Sequence, residues 1–372
     1  MQNIENLFKN KNAFDLNAEN QNLFWEAMRE AVEFHRKNSK VYDGICSQHN
    51  FSFDRDIKSE KDLYKIPHIM VNVFKEIKLL SVQQSQITLS FTSSGTTGMT
   101  SQTNLDDISI QRQGFTRKST VESYGLAAYD EEVNYVCFSY DPETSGTKGA
   151  AHTHTAYTSF AKSRETFYAI SRDEKGEAKF KINECIAALD RYSKSGLPLR
   201  ITGFPSFGYT TLKKLDEMGQ HFSFPQSSVL FSGGGWKLPG GDPISFDEYS
   251  ELVKRVLGIA RDRIRDVYGM IEHGIPYMTC ECGNFHVPIY SRVYSVDPAT
   301  AELLPDGQTG LLKLITPYIH SVPAISILST DYGVIANDCK CGRKTPHIIL
   351  KGRAGVKKYA GCGISAAQLL AS

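Results

Sequence analysis

This 372-residue chain lacks any apolar run approaching the roughly 18 residues that a membrane-spanning helix requires, and none is expected. It also lacks charge of one dominant sign. Lys and Arg number 42 against 41 Asp and Glu, a net charge of +1. That balance argues against function through a strongly charged surface, and no basic-aromatic stripe for nucleic acid is found. The polar N-terminus has no basic stretch followed by an apolar core, so it is not read as a signal peptide, and a cytoplasmic location is expected. There is no repeat, no low-complexity tract, no Gly-x-Ser-x-Gly elbow of a hydrolase, and no Gly-Lys-Ser/Thr of a Walker loop. With 41% hydrophobic and 22% charged residues the chain is an ordinary globular composition rather than a disordered one. Its eight cysteines, in a reducing compartment, are metal ligands, nucleophiles or buried apolar residues before they are disulfides.

Phe24, Met28, Ala31 and His35 fall on one face of a helix over 21–37, with His35 solvated or capped. A short helix over 59–65 ends at Ile66-Pro67, and 69–80 reads as a further amphipathic segment. Apolar runs at 86–92, 133–140, 199–204 and 228–232 predict strands, and 155–171 and 246–257 predict helices between them. Strands alternating with helices imply a largely parallel sheet. Segments 285–296 and 310–316 predict antiparallel strands, with turns at Asp297-Pro298 and Asp306-Gly307. The fold class is therefore α/β, with β-rich additions towards the C-terminus.

Five motifs carry chemistry. Ser93-Ser94-Gly95-Thr96-Thr97-Gly98 follows the 86–92 strand, where glycines and hydroxyls turn tightly and offer donors to phosphate oxygens. Ser232-Gly233-Gly234-Gly235-Trp236-Lys237 leaves a wall without side chains, against which a flat ring can lie. In Tyr268-Gly269-Met270-Ile271-Glu272-His273, Tyr offers a stacking face and Glu272 a hard oxygen ligand suited to Mg²⁺. Asp331, in Ser329-Thr330-Asp331-Tyr332-Gly333, can accept two hydrogen bonds from ribose hydroxyls. The fifth motif runs from Gly352-Arg353 to Lys357-Lys358-Tyr359-Ala360-Gly361-Cys362.

Taken in order, these motifs resemble the adenylate-forming superfamily of acyl- and aryl-CoA ligases over about 60–372. Within it the chain is similar to the acyl-protein synthetases of bacterial fatty acid reductase, the LuxE type. The similarity lies in Ile66-Pro67 leading to Val73-Phe74-Lys75, in Tyr268 to Tyr277, in Ser326 to Gly333, and in Gly352 to Cys362. The resemblance implies a superfamily-type large domain of mixed sheets covered by helices. It would comprise a helical segment at 1–85, an α/β core at 86–316, and a β-rich segment at 317–372 bearing the acyl-transfer cysteine. It implies ATP and Mg²⁺ as cofactors, phosphate contacts from Ser93 to Gly98, and adenine packing on Gly233, Gly234 and Gly235. Tyr268, beside Gly269, would stack on adenine. Asp331 and Arg353 would meet the ribose, and Glu272 the metal. The acid, expected to be a fatty acid, would become acyl-AMP, pass to Cys362, and be handed to an acyl-reductase protein. Transfer to CoA or a carrier thiol, and a non-catalytic binding scaffold, are the alternatives.

The chain departs from the superfamily in three ways. Met99-Thr100-Ser101 replaces the usual Pro-Lys, Gly355 stands where a hinge Asp is common, and the chain ends soon after Arg353, without the mobile C-terminal domain and its catalytic Lys. Cys362 lies between two glycines and near Lys357 and Lys358, cations of the kind that lower a thiol pKa.

Two Cys-x-Cys-Gly turns, at Cys280/Cys282 and Cys339/Cys341, predict either a closed structural Zn²⁺ site or a set of reduced surface thiols, and His286 can replace one thiolate. His152 and His154, alternating as on a strand or loop, read as satisfied polar residues. Phe204 and Phe207 suit an acyl-pocket wall and core packing equally.

Overall fold

The structure is a computed structural model, and it describes residues 1–92, 102–142, 149–172, 178–235 and 244–353. Its parallel core consists of β1 (Ala128–Tyr140), β2 (Ala161–Arg172), β3 (Leu199–Gly203), β4 (Val229–Gly233) and β5 (Ile264–Tyr268), in the spatial order β2-β1-β3-β4-β5. All neighbours in this group pair in parallel. Beyond β5 the sheet becomes antiparallel through β6 (Tyr277–Thr279), β7 (Phe285–His286), β10 (His347–Arg353), β9 (Ser326–Ala336) and β8 (Gly310–Ile315), and continues to the strand Arg292–Val296. The α/β class and the antiparallel C-terminal addition are thus as expected.

The parallel strands are nearly continuous in hydrophobicity because both of their faces are covered. In β4, Val229 and Phe231 enter one core while Leu230 enters another. In β1, Val133, Tyr135 and Cys137 point one way and Val136, Phe138 and Tyr140 the other. This is the two-residue alternation of a strand; both sides of β4 and one side of β1 meet the two main cores, and the Val133, Tyr135 and Cys137 side of β1 clusters with Ala161 of β2. One layer comprises the helices 182–193, 205–217 and 246–257. The other core takes residues from helices 18–38 and 107–123 together with the antiparallel strands.

Local chemistry sets the ends of several helices. Asn17 accepts from Asn20 N at 2.8 Å to start Ala18–Asn38. Ser245 accepts from Glu248 N at 3.1 Å to start Phe246–Leu257, which Gly258 ends at φ 71°. The helix read at 246–257 is therefore correct to the residue.

Four local readings are corrected. The segment 155–171, expected as a helix, is a short helix Gly149–Ala156, a 3-10 turn Tyr157–Phe160 and then strand β2. Strand β2 is held between β1 and the antiparallel strand Ala178–Phe180, and these ladders override its ambiguous pattern. His154 accordingly lies on a helix rather than on a strand or loop. The 69–80 segment is a two-residue strand, Ile69–Met70, followed by one helical turn, Val73–Glu76. His35, expected to be solvated or capped, is 1% exposed, with Nδ1 2.7 Å from Ser81 Oγ and Nε2 3.1 Å from the Ile319 carbonyl. Among the described residues, no helix is long and apolar enough to cross a membrane.

Candidate active site

The parallel strands β1, β3, β4 and β5 end at Tyr140, Gly203, Gly233 and Tyr268, and because they run in the same direction these ends share one edge of the sheet. In open α/β sheets that carboxyl edge is where ligands bind. Gly233 pairs with Val267 across the β4–β5 ladder, and a Cβ on it would lie 3.2 Å from the Val267 carbonyl oxygen. Gly234 takes φ 88°, which favours glycine, and a Cβ there would press on the Phe204 ring at 3.0 Å. The glycine wall and Phe204 are thus neighbours. Phe207 packs 4.7 Å, centroid to centroid, from Phe180, and both Phe204 and Phe207 are buried.

Tyr268 ends β5, Asp331 lies within β9, and Arg353 closes β10. Asp331 and Arg353 are directly paired across the β9–β10 ladder. The Tyr268 hydroxyl donates to Asp331 Oδ2 at 2.9 Å, and Arg353 donates through Nε to Oδ1 at 2.6 Å and through Nη2 to Oδ2 at 3.3 Å. The Asp331 side chain is 7% exposed and that of Arg353 is 40% exposed, so the guanidinium reaches solvent while the carboxylate sits beneath it. Burial, then the Asp331 charge, pushes the Tyr268 phenol well above its ordinary range and keeps it a proton donor. Glu272 stands in the turn after Tyr268, 6% exposed, where Gly274 N donates to Met270 O at 2.9 Å. A buried carboxylate presents the hard oxygens that Mg²⁺ prefers, so its donor chemistry fits that ion.

Further residues lie at this edge: His154, expected to be a satisfied polar residue, His273 and Tyr277, which stand within the Tyr268–Tyr277 stretch, and Asp266 and Ser291, which no motif included. His154 is 5% exposed, with Nδ1 3.2 Å from Ser139 Oγ and its ring edge-on to Phe204 at 4.6 Å. Burial lowers its pKa to about 4 against a hydrogen bond with the Gly233 backbone, so the ring is neutral at pH 7. Asp266 accepts from Ser232 Oγ and from Val267 N, each at 3.0 Å, and burial raises its carboxyl to about 6. His273, Tyr277 and Ser291 form a buried chain, with Nε2 2.7 Å from the Tyr277 hydroxyl and that hydroxyl 2.7 Å from Ser291 Oγ. The sequence signal for Asp266 was its place two residues before Tyr268, and Ser291 had none.

The Ser93–Gly98 loop and Cys362 lie outside the described residues. Of the cysteine pairs, Cys280, Cys339 and Cys341 come together with His286, and Cys282 is left outside the group.

The family model of the acyl-protein synthetase LuxE matches residues 1–371. The chain belongs to that family. Among its relatives, the long-chain-fatty-acid–luciferin-component ligase of Vibrio harveyi is 23% identical over 359 residues, covering 94% of this chain and 89% of the relative. The protein of the same name from Aliivibrio fischeri is 23% identical over 349 residues, covering 92% of this chain and 87% of the relative. Among solved structures, 2-hydroxyisobutyryl-CoA ligase in its postadenylation state superimposes with a TM-score of 0.67 at 15% identity, covering 92% of this chain and 69% of the other. A second structure of that ligase, an open conformation, gives 0.63 at 15% identity, with 92% and 76% coverage. This LuxE-family enzyme therefore has the adenylate-forming ligase fold, and acyl activation is its class of activity.

Proposed function

We propose that this LuxE-family enzyme uses ATP to activate a long-chain fatty acid as acyl-AMP, moves the acyl group to Cys362 as a thioester, and delivers it to an acyl-reductase protein. The single observation that supports this most is the Tyr268–Asp331–Arg353 assembly beside the glycine wall, at the carboxyl edge of the parallel strands. The acid class follows the name carried by the Vibrio harveyi and Aliivibrio fischeri relatives.

The chemistry explains why such a site is needed. A free carboxylate does not acylate a thiol, because oxide is too poor a leaving group. Attack of a carboxylate oxygen on the α-phosphorus of ATP forms the acyl–phosphate bond, breaks the α–β phosphoanhydride, and releases pyrophosphate. The Cys362 thiolate then attacks the acyl carbon, forms the thioester, and expels AMP. In this scheme Gly233, Gly234 and Gly235 pack on adenine while the Tyr268 ring stacks against it. Asp331 accepts the ribose hydroxyls, and Arg353 holds the Asp331 carboxylate in place. Backbone and hydroxyl donors of Ser93 to Gly98 surround the phosphates. Glu272 would hold Mg²⁺, which supplies charge neutralisation at the phosphate oxygens. Phe204 and Phe207 would line the acyl side of the edge.

The test is ATP–pyrophosphate exchange over acids from acetate to palmitate, with a Cys362→Ser variant. The expected result is exchange with long-chain acids by both proteins, and a hydroxylamine-sensitive acyl label on the wild type alone. Absence of exchange across the panel refutes the adenylation reading. Exchange without any acyl label on the wild type, together with acyl-CoA formation, shifts the acceptor to CoA.

A further inference from the structure

We infer that Cys280, His286, Cys339 and Cys341 form a closed structural zinc site, with Cys282 standing beside it as a surplus thiol. This goes beyond the adenylation reading and does not depend on it.

The ligand atoms of these four residues all lie within 4.8 Å of one another. Cys280 Sγ is 3.5 Å from Cys339 Sγ, and Cys341 Sγ is 3.2 Å from His286 Nε2. Tetrahedral zinc, with Zn–S near 2.3 Å and Zn–N near 2.0–2.1 Å, has S···S edges of roughly 3.8 Å and S···N edges of roughly 3.5 Å. These two contacts need to open by only a few tenths of an ångström to take the ion, and the remaining pairs, all within 4.8 Å, need to close by no more than about 1.3 Å.

The backbone builds the site twice over. Gly283 N donates to the Cys280 carbonyl at 2.9 Å, and Gly342 N donates to the Cys339 carbonyl at 3.2 Å. The two glycines take φ 82° and 81°, so the two Cys-x-Cys-Gly segments make the same turn. Donors also face sulfur, as they do where thiolates are held. Cys282 N lies 3.3 Å from Cys280 Sγ, and Asn284 Nδ2 lies 3.2 Å from Cys339 Sγ.

His286 decides the ligand set. Its Nδ1 is 3.1 Å from the Thr345 carbonyl oxygen, which can only accept, and 3.1 Å from Thr345 Oγ1, and the carbonyl favours the tautomer with the proton on Nδ1. That leaves the lone pair of Nε2 facing Cys341. An outer hydrogen bond of this kind orients a metal-ligating imidazole and fixes its tautomer. His286 and Cys280 are buried, and Cys339 and Cys341 are half-buried. Cys282 hydrogen-bonds with Cys280 and Cys339 but lies outside the four-donor group.

Binding Zn²⁺ releases the three thiol protons and leaves a site of net charge −1. Arg343, hydrogen-bonded to Cys341 and donating to Glu281 Oε2 at 3.0 Å, supplies an adjacent positive charge. With all four positions filled, no position is open for catalysis. The ion would join the turn after β6 and the end of β7 to the connection between β9 and β10. That connection leads from the Asp331 strand to the Arg353 strand, so the site would clamp the frame that carries the ribose pair.

The test uses the full-length protein loaded with Zn²⁺ alone and then freed of excess metal. The expected result is one zinc per chain by elemental analysis. Iodoacetamide mapping by mass spectrometry should then show Cys280, Cys339 and Cys341 protected by zinc and Cys282 modified. Cobalt in place of zinc should give the visible bands of a tetrahedral sulfur-ligated ion. Cys339→Ser and His286→Ala should lose the metal, and Cys282→Ser should keep it. Less than a tenth of an equivalent of zinc, with equal alkylation of all four cysteines in its presence and absence, overturns the site. Retention of metal by His286→Ala together with its loss from Cys282→Ser overturns the ligand assignment.

Discussion

Replacing Asp331 tests the nucleoside site most directly. In the proposed complex, two ribose hydroxyls donate to its carboxylate. A hydrogen bond to a charged group contributes about 1.5–3 kcal/mol, so two contribute about 3–6 kcal/mol. At tenfold per 1.4 kcal/mol, Asp331→Ala should lower kcat/KM for ATP by about 10²- to 10⁴-fold. Asp331→Asn keeps the shape and one acceptor, and about half of the free energy is lost, a fall of about 10- to 100-fold. Stability moves less. Arg353, with its side chain 40% exposed, recovers water when the carboxylate goes, whereas the half-buried Tyr268 hydroxyl loses its 2.9 Å partner. Leaving that one group unsatisfied costs about 1–3 kcal/mol, a fall of a few degrees in Tm. The assay is ATP–pyrophosphate exchange with ATP varied at a saturating long-chain acid, beside a thermal melt of each variant. A folded Asp331→Ala enzyme with kcat/KM for ATP within threefold of wild type refutes the ribose assignment.

Tyr268→Phe keeps the ring and removes one hydrogen bond to Asp331, so kcat/KM for ATP should fall by no more than about tenfold, and Tyr268→Ala should fall at least tenfold further as the stacking face is lost. Equal losses in the two variants would deny the ring a role. Gly274 has φ 77°, and a Cβ there would lie 2.1 Å from Tyr318 Cε1, whereas Gly219 has φ 67° and nothing within 4 Å. Gly274→Ala should destabilise by about 2–5 kcal/mol, combining left-handed strain with overpacking, and Gly219→Ala by about 1–2 kcal/mol in urea titrations. Equal costs would refute the clash. Burial holds His35 near pKa 3, His154 near 4 and His273 near 3, below the ordinary 6.5. At these three groups the unfolded chain therefore binds more protons than the native one between about pH 3 and 6.5, and the stability they contribute above 6.5 is lost as pH falls through that window. Tm should drop across it, and His154→Gln should flatten the slope. A constant Tm from pH 7 to 5 would contradict this.

Much of the site could be read from the chain because its parts are local motifs with local causes. Glycines after a strand, and a Tyr-Gly turn before a buried Glu, depend on neighbours a few residues away. Helix 246–257 is bounded by its own Ser245 and Gly258, so a window of sequence contains everything that fixes it. The β-strands at 199–203 and 229–233 were equally plain, because strands covered on both faces are hydrophobic throughout.

What only the tertiary structure decided involves partners far apart in the chain. Residues 161–172 are a strand because β1 and Ala178–Phe180 complete their hydrogen bonds, and a run with Lys162, Arg164 and Glu165 exposed has no pattern of its own strong enough to say so. His35 is buried because Ser81 and Ile319 arrive to satisfy both of its ring nitrogens. His286 joins three cysteines because the Thr345 carbonyl, reached only through the β7–β10 pairing, orients its ring. Tyr268, Asp331 and Arg353 meet because a parallel strand end and an antiparallel ladder converge on one carboxylate. Sequence spacing determines which groups are available. Hydrogen-bond closure between distant strands determines which of them share a site.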